Sequence, residues 1–386
     1  MKILYITSSF PRGTMIMGGF IPDLLKELNK LNCKIHVITQ NCVSKQTESI
    51  NLWNGCQATC FSWKGGDIPL VNLMSKGISG IVLIIQYFIN GIRVGRKIAK
   101  EWNPDFIFAE WLVPSGLMAF AISKLTGIPY AARALGSDVL VAAKRFGIKQ
   151  ITRVVANNAT VLFADGFDLC KKTSELAGGK ECHYTATSRK MGDKRSLFKP
   201  MDDVGLFTTC TVGRLHHVKG QDVLVDAAKK LVTRGIAFRS YIVGMGEEYG
   251  NLLKQILDLE LQEKVILTGK LEDGDIVDLL KHIDCVIIPS RSESISLTLA
   301  EAARAGKPAV VTDVGDMRYI VEKYNLGYVV PPNNSAELAN AMVKISSNEN
   351  RIPFAKEDDS EAFLSLLSIE NAARTILDKL RNTKRE

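Results

Sequence analysis

Glu293 and Glu301 stand eight residues apart in SESISLTLAEA, bracketed by small and apolar residues. One carboxylate lies just past DCVIIPS, which reads as a buried strand, and the other sits among alanines; both need partners. The vicinal hydroxyls of a sugar are suitable, because an ionised carboxylate accepts several hydrogen bonds at once. At 3.6 residues per turn, eight residues make about 2.2 turns, which would bring the two glutamates to one helix face. The helix is expected to open near Ser294–Ser296. The N–H groups of Ile295, Ser296, Leu297 and Thr298 would then be free to hold an anion. That arrangement suits a sugar at Glu293, a phosphate at the helix start and a ribose at Glu301. The plainer alternative is a capping box at Ser294 with an exposed Glu301.

A second constellation lies upstream, where the strand FTTCTVGR runs into LHHVKGQDVLV. Arg214 falls at the strand's carboxyl edge, and Lys219-Gly220 immediately precedes a helix. Two cations and a glycine at a strand-to-helix turn are what a diphosphate requires: charge, and close approach of backbone N–H groups. A solvated basic turn is the competing reading. His216 and His217 are adjacent, point apart and have no companion ligands, so no metal is expected there. Gly244-Met245-Gly246 resembles a broken dinucleotide fingerprint. Its third glycine is one place late and no acidic strand end follows at the right distance, so a turn glycine explains it better than a nicotinamide cofactor.

The elements that must position these residues alternate along the chain. KILYIT, KIHVIT, DFIFAE, PYAARAL and ATVLFAD read as strands separated by helices, including IPDLLKELNKL, PSGLMAFAISKLTG and a helix over 139–157. Residues 178–204 are polar, basic and without period, and read as a linker. The alternation then restarts at FTTCTVGR and continues to SAELANAMVKISSN, with a helix pair near the carboxyl end. Two doubly wound α/β units are implied, with ligand outside the carboxyl ends of their strands and therefore in a cleft between them.

A length of 386 residues fits two such domains. Residues 1–200 carry 26 Lys+Arg against 13 Asp+Glu (26 − 13 = +13), and the remainder 23 against 28 (23 − 28 = −5). The basic half suggests an anionic partner. No nucleic-acid recognition motif accompanies it, whereas an anionic membrane or a phosphorylated acceptor would fit. The run ISGIVLIIQYFINGI (78–92) is short for a bilayer span and reads as a buried or interfacial helix with the basic end RVGRKIAK. The opening MKILYIT reads as a strand rather than a signal segment. The eight cysteines are scattered and several fall in apolar runs, as expected of reduced thiols in the cytoplasm.

Glu293-x7-Glu301 followed by AARAGKPAVVTDVGDMRYIV and GYVVPP resembles the signature of the retaining glycosyltransferases of family 4, which have the GT-B fold: two doubly wound Rossmann-like domains facing a central cleft. VGRLHHVKGQDVLVDAA, IVGMGEE, the N-terminal SSFP…GG and LFKP fit the same family in order and spacing. The resemblance implies an acceptor-side domain over 1–200, a nucleotide-sugar-binding domain over 204–365, and a helix over 366–386 that returns to the first domain. It implies that Arg214 and Lys219 hold the donor diphosphate, that Glu293 binds the transferred sugar and that Glu301 binds the ribose. Gly18, Gly19, Gly213, Gly244 and the run Ser294, Ile295, Ser296, Leu297, Thr298 would also border the donor. Glu110, Arg133, Gly136 and Asp138 would lie on the acceptor side.

The function so implied is retaining transfer of a sugar from a nucleotide-diphosphate sugar to a glycan or lipid-linked acceptor. It would proceed by a front-face mechanism, with no metal or other cofactor and no nucleic acid. The expected location is the cytoplasm, in contact with the inner face of the membrane. A nucleotide-sugar epimerase of the same fold and a non-catalytic nucleotide-sugar-binding protein are the competing classes. The sequence also departs from the family pattern. Leu135 and Glu110 replace frequent histidines, Ser294-Ile295-Ser296 replaces a glycine-rich turn, and Asp316 replaces a glycine.

Overall fold

The computed structural model describes residues 1–10, 19–53, 55–66, 70–73, 76–141, 147–185, 191–196, 198–201, 203–347 and 354–383. The chain divides into two compact units, one of Met1–Arg189 with Ser368–Glu386 and the other of Lys190–Leu367.

In unit 1 the strands are β1 Lys2–Ile6, β2 Lys34–Asn41, β3 Glu48–Trp53, β4 Cys56–Ser62, β5 Phe106–Glu110, β6 Tyr130–Ala134, β7 Val161–Ala164 and β8 Cys182–Tyr184. They form a sheet in the order β3-β4-β2-β1-β5-β6-β7-β8, parallel except for the β3–β4 pair. Its helices are α1 Ile21–Lys30, α2 Leu70–Leu73, α3 Gly77–Trp102, α4 Leu117–Thr126, α5 Ile148–Asn158 and α6 Phe167–Leu176. Alternation along β1 sends Leu4 and Ile6 to one face, where residues of α3, α4 and α5 cover them. Ile3 and Tyr5 point to the other, under α1 and the carboxyl-terminal helix. The helix expected over 139–157 is α5 alone, because Ser137–Val141 form a separate turn and 142–146 lie outside the described residues.

Unit 2 holds β9 Phe207–Val212, β10 Phe238–Val243, β11 Val265–Gly269, β12 Cys285–Ile288, β13 Ala309–Thr312 and β14 Gly327–Val330. The sheet is parallel in the order β11-β10-β9-β12-β13-β14. Its helices are α7 Gln221–Thr233, α8 Tyr249–Asp258, α9 Asp273–His282, α10 Leu297–Arg304, α11 Met317–Lys323, α12 Ser335–Ser346 and α13 Glu357–Leu366. The last helix, α14 Ile369–Thr383, belongs to unit 1. In both sheets the strand order reverses beside the first strand, between β1 and β5 and between β9 and β12. Such switch points open a crevice at the carboxyl ends.

The first unit closes at Arg189 rather than at 200. The segment after it is strapped to the start of α9. The Gly192 N–H donates to Asp273 Oδ2 (2.9 Å), the Ser196 N–H donates to Asp275 (2.9 Å to Oδ2), and Lys194 pairs with Glu272 at 3.2 Å. Farther on, buried Asp203 accepts from Tyr241 Oη (2.5 Å) and contacts His282 Nε2 (3.0 Å). The described residues of a stretch that lacks periodicity are therefore fixed by side chains of α9 and β10 within unit 2. β8 also emerges from the expected linker and extends the first sheet.

Candidate functional site

The unit 2 switch point brings together the loops after β9 and β12. Beyond β9 the chain passes Gly213 and Arg214, makes a short turn at His217–Lys219 and enters α7 through Gly220. Gly220 has φ +66°, and a Cβ there would lie 2.1 Å from the Pro289 carbonyl oxygen. Only a glycine lets the two loops touch. Across that contact the Lys219 ammonium donates to Glu293 Oε1, and the Ser290 hydroxyl donates to the same oxygen at 3.0 Å. The Glu293 side chain is mostly buried and that of Lys219 about a third exposed. The sequence resemblance assigns Lys219 to the donor diphosphate and Glu293 to the transferred sugar; the structure makes them direct partners.

Arg214 is half-exposed and turns toward the loop after β10, where its Nη2 is 3.5 Å from Glu247 Oε2. Glu247 Oε1 is also 3.1 Å from His216 Nε2. His216 Nδ1 accepts the Val218 N–H at 3.2 Å, so its Nε2 carries the hydrogen directed at Glu247. Gly213 and Gly244 form the floor beneath: the Gly213 N–H donates to Val243 O at 3.0 Å and the Gly244 N–H to Gly269 O at 2.9 Å. The phosphate-type cluster is therefore two cations, each matched to a carboxylate, over the carboxyl ends of β9, β10 and β12.

The Glu293 loop departs from expectation. α10 begins at Leu297, and Ser296 is its extended N-cap without a side-chain cap bond. Glu293, Ser294, Ile295 and Ser296 precede the helix, so the eight-residue helical spacing between the glutamates does not apply. Leu297 and Thr298 occupy the first turn, and the Leu299 N–H already closes on Ser296 O at 3.1 Å. Thr298 Oγ1 donates to Val212 O (2.9 Å) and pins this turn to the end of β9. The loop is backed by Gly315, whose φ is +55° and whose Cβ would lie 2.2 Å from Glu293 O. The neighbouring Asp316 N–H donates to Ser294 O at 3.2 Å. Glu301 is only 4% exposed, which removes the reading of a solvated surface carboxylate. It faces β9, where burial and then the Glu301 charge push the Cys210 thiol upward.

Arg291 gave no signal in the sequence, yet it organises the site. Its guanidinium takes both Asp222 oxygens (2.8 and 2.6 Å), the His217 carbonyl (2.6 Å) and Asn333 Oδ1 (2.6 Å). Its own N–H donates to Val218 O at 2.7 Å. Burial works to raise the Asp222 carboxyl, but the Arg291 bonds outweigh it and hold the group below its ordinary value.

In unit 1 the residues expected on the acceptor side gather at the ends of β5 and β6, but their side chains face inward. Glu110 and Arg133 are fully buried, with Arg133 Nη1 3.4 Å from Glu110 Oε1. The Tyr5 hydroxyl donates to the same oxygen. Burial pushes the Glu110 carboxyl up, opposed by Arg133 and the tyrosine bond. The Arg133 guanidinium lies 5.6 Å from the Phe20 ring, at the entry to α1 next to Gly19. Asp138 is also buried. It accepts the N–H of Leu112 (2.7 Å) and of Leu135 (3.2 Å), and burial lifts its carboxyl to about 6. The Gly136 carbonyl accepts from Val139 and Leu140 (3.1 and 2.7 Å). These four residues therefore support the loops at the ends of β5 and β6 from within. Gly18 lies outside the described residues. No three His, Cys, Asp or Glu side chains among the described residues cluster as a metal set.

Two parallel-sheet Rossmann-like units with a cation pair at a switch point define the class, and comparison with known proteins agrees. The family described as "Glycosyl transferases group 1" matches residues 194–358, and "Glycosyl transferase 4-like" matches residues 19–165. The chain is 22% identical to N-acetyl-alpha-D-glucosaminyl L-malate synthase of Bacillus anthracis, over 75% of this chain and 78% of that protein. Sucrose-phosphate synthase from Thermosynechococcus elongatus superposes with a TM-score of 0.78 at 16% identity, covering 99% of this chain and 98% of that one. Anabaena HepE in complex with UDP-glucose does so with a TM-score of 0.72 at 18% identity, over 99% and 100%. The fold is GT-B, and the matches support a glycosyltransferase.

Proposed function

We propose that the chain is a retaining glycosyltransferase. Unit 2 takes a nucleotide-diphosphate sugar, and unit 1 takes a glycan or lipid-linked acceptor. The observation that carries this reading is the Lys219–Glu293 pair on adjoining loops at the β9/β12 switch point, with Arg214 on the same β9 loop. Donor diphosphate binds by competing with Glu293 and Glu247 for the two cations. The released Glu293 carboxylate then accepts hydroxyls of the transferred sugar, and buried Glu301 serves the ribose.

The acceptor hydroxyl attacks the anomeric carbon on the face that the diphosphate leaves. The bond from carbon to diphosphate oxygen breaks as the new glycosidic bond forms, and a phosphate oxygen takes the acceptor proton. Arg214 and Lys219 offset the charge that grows on the leaving group, without a metal. HepE's UDP-glucose complex makes UDP-sugars the first donors to try.

The test is nucleotide release from a panel of nucleotide-sugars with extracted acceptors, in the presence of a chelator, with the product's anomeric configuration read by NMR. Acceptor-dependent release with retained configuration is expected. Donor binding without release under any acceptor would overturn transfer, release abolished by the chelator would overturn metal independence, and an inverted product would overturn retention.

A further inference from the structure

Helix α3 is amphipathic in the wrong sense for a helix that faces water. Its inner face carries Tyr87, Gly91, Gly95, Ile98 and Ala99. Tyr87 packs edge-on against Phe61 and Trp63, each 5.1 Å away between ring centres. Gly91 lies so close to α4 that a Cβ would sit 2.4 Å from Met118 Sδ. The outer face runs Ile78, Ile81, Val82, Ile85, Ile89, at the spacing of one stripe, and is exposed by between 52% and 82%. At 1.5 Å per residue this apolar stripe is about 16 Å long. The same stripe then turns cationic at Arg93, Arg96, Lys97 and Lys100. Of these four, only Lys97 has an acidic neighbour within 4 Å among the described residues, Glu101 at 3.9 Å. From residue 68 to residue 100 the chain has five Lys+Arg and no Asp or Glu.

Ile89, Arg93, Arg96, Lys97 and Lys100, with Leu125 of α4, line a groove of about 570 Å³. Leu125 is itself exposed and extends the apolar surface to the next helix. Scattered exposed isoleucines need no explanation, but a continuous stripe of them does. Length and composition would also let α3 cross a bilayer. Crossing would strip Tyr87, Gly91 and Ile98 from the sheet and α4, so the helix lies along a surface instead.

We propose that α3 docks unit 1 flat on an anionic phospholipid bilayer. The isoleucine stripe enters the boundary between headgroups and acyl chains, and the cationic groove receives lipid phosphates. Two weak signals, apolar area and basic charge, then act together. A second copy of this chain is a poorer occupant: a parallel two-fold contact would set like cationic ends together, and an antiparallel one would lay each cationic end on the other copy's isoleucines.

The test is flotation of the whole purified chain with phosphatidylcholine vesicles, with and without phosphatidylglycerol. Binding only to the anionic vesicles is expected, and it should weaken as salt shortens the screening length from about 10 Å at 0.1 M to about 3 Å at 1 M. Ile85→Asp with Ile89→Asp should reduce partitioning on the order of a hundredfold. Arg93→Ala, Arg96→Ala and Lys97→Ala should each cost about fivefold. Thermal unfolding and nucleotide-sugar binding stay as in the parent chain, which separates this outcome from misfolding and from failure of the transferase reading. The proposal is overturned by equal flotation on neutral vesicles, by no flotation, or by variants that float like the parent. A dimer dispersed by the aspartates without any vesicle binding would assign the stripe to a second copy.

Discussion

At the residue scale, Lys219 and Glu293 are ion-pair partners, and the proposed function has a donor part them. Lys219→Ala should lower transfer on the order of 10²–10³-fold, as loss of a charge-stabilising donor does elsewhere. Because the pair is partly exposed, the unfolding temperature should change little, and a rate equal to the parent's would remove Lys219 from the site. Arg291→Ala touches nothing in the proposed chemistry yet frees the His217 carbonyl and Asp222. It should raise the KM for donor more than it lowers kcat, because it loosens the loop that aims Lys219; an unchanged KM would show the clamp to be irrelevant. Asp138 supplies a pH effect in unit 1. Its folded value of about 6 lies above the ordinary carboxylate range, so the folded state holds the proton more tightly than the unfolded chain. The associated stability is fully present below about pH 4 and is lost as pH rises through 6, by roughly 3 kcal/mol. Unfolding of the parent measured against Asp138→Asn should show this decline between pH 4 and 6, and a flat difference would refute it.

At the element scale, the loops are held apart and together by glycines. Gly220→Ala forces a side chain into the left-handed region against Pro289 O, which should cost about 1–3 kcal/mol from backbone strain alone. Donor affinity should fall with it, and calorimetric binding equal to the parent's would mean that the β9 and β12 loops can part without consequence. Most strands and helices were legible because their apolar periods are clear and Gly or Pro ends them. β3 and β4 carried a signal that went unread: ESINLW and CQATCFS mix apolar and polar places on either side of Asn54-Gly55, the sequence mark of a hairpin, which here pairs onto β2. Lys219 and Glu293 were legible as charges at strand ends. Arg291 was not, because its partners Asp222 and Asn333 are 69 and 42 residues away and nothing local marks it. Glu110 and Arg133 were visible as charges at the ends of apolar strands, but their mutual burial depends on Tyr5, 105 residues from Glu110.

At the scale of the whole molecule, two separate cores should give two unfolding events. A nucleotide-sugar should shift only the unit 2 event, by about 2.7 kcal/mol at a hundred times its Kd. Deleting residues from Ser368 onward should instead damage unit 1, because α14 buries Ile369, Ile376, Leu377 and Leu380 in that core. A deletion that spared unit 1 would contradict this division. The same connectivity sets an order of events on the ribosome. Unit 2 is an insertion of 178 residues (367 − 190 + 1) between two parts of unit 1. At about 5–20 residues per second, α1 and its side of the first sheet wait roughly 10–35 s for α14 to emerge. During that interval the nascent first unit presents the surface around Leu24, Leu28 and Phe106 without its cover. The first core therefore closes only after the whole of unit 2 has been synthesised, so its two halves meet across a completed insertion.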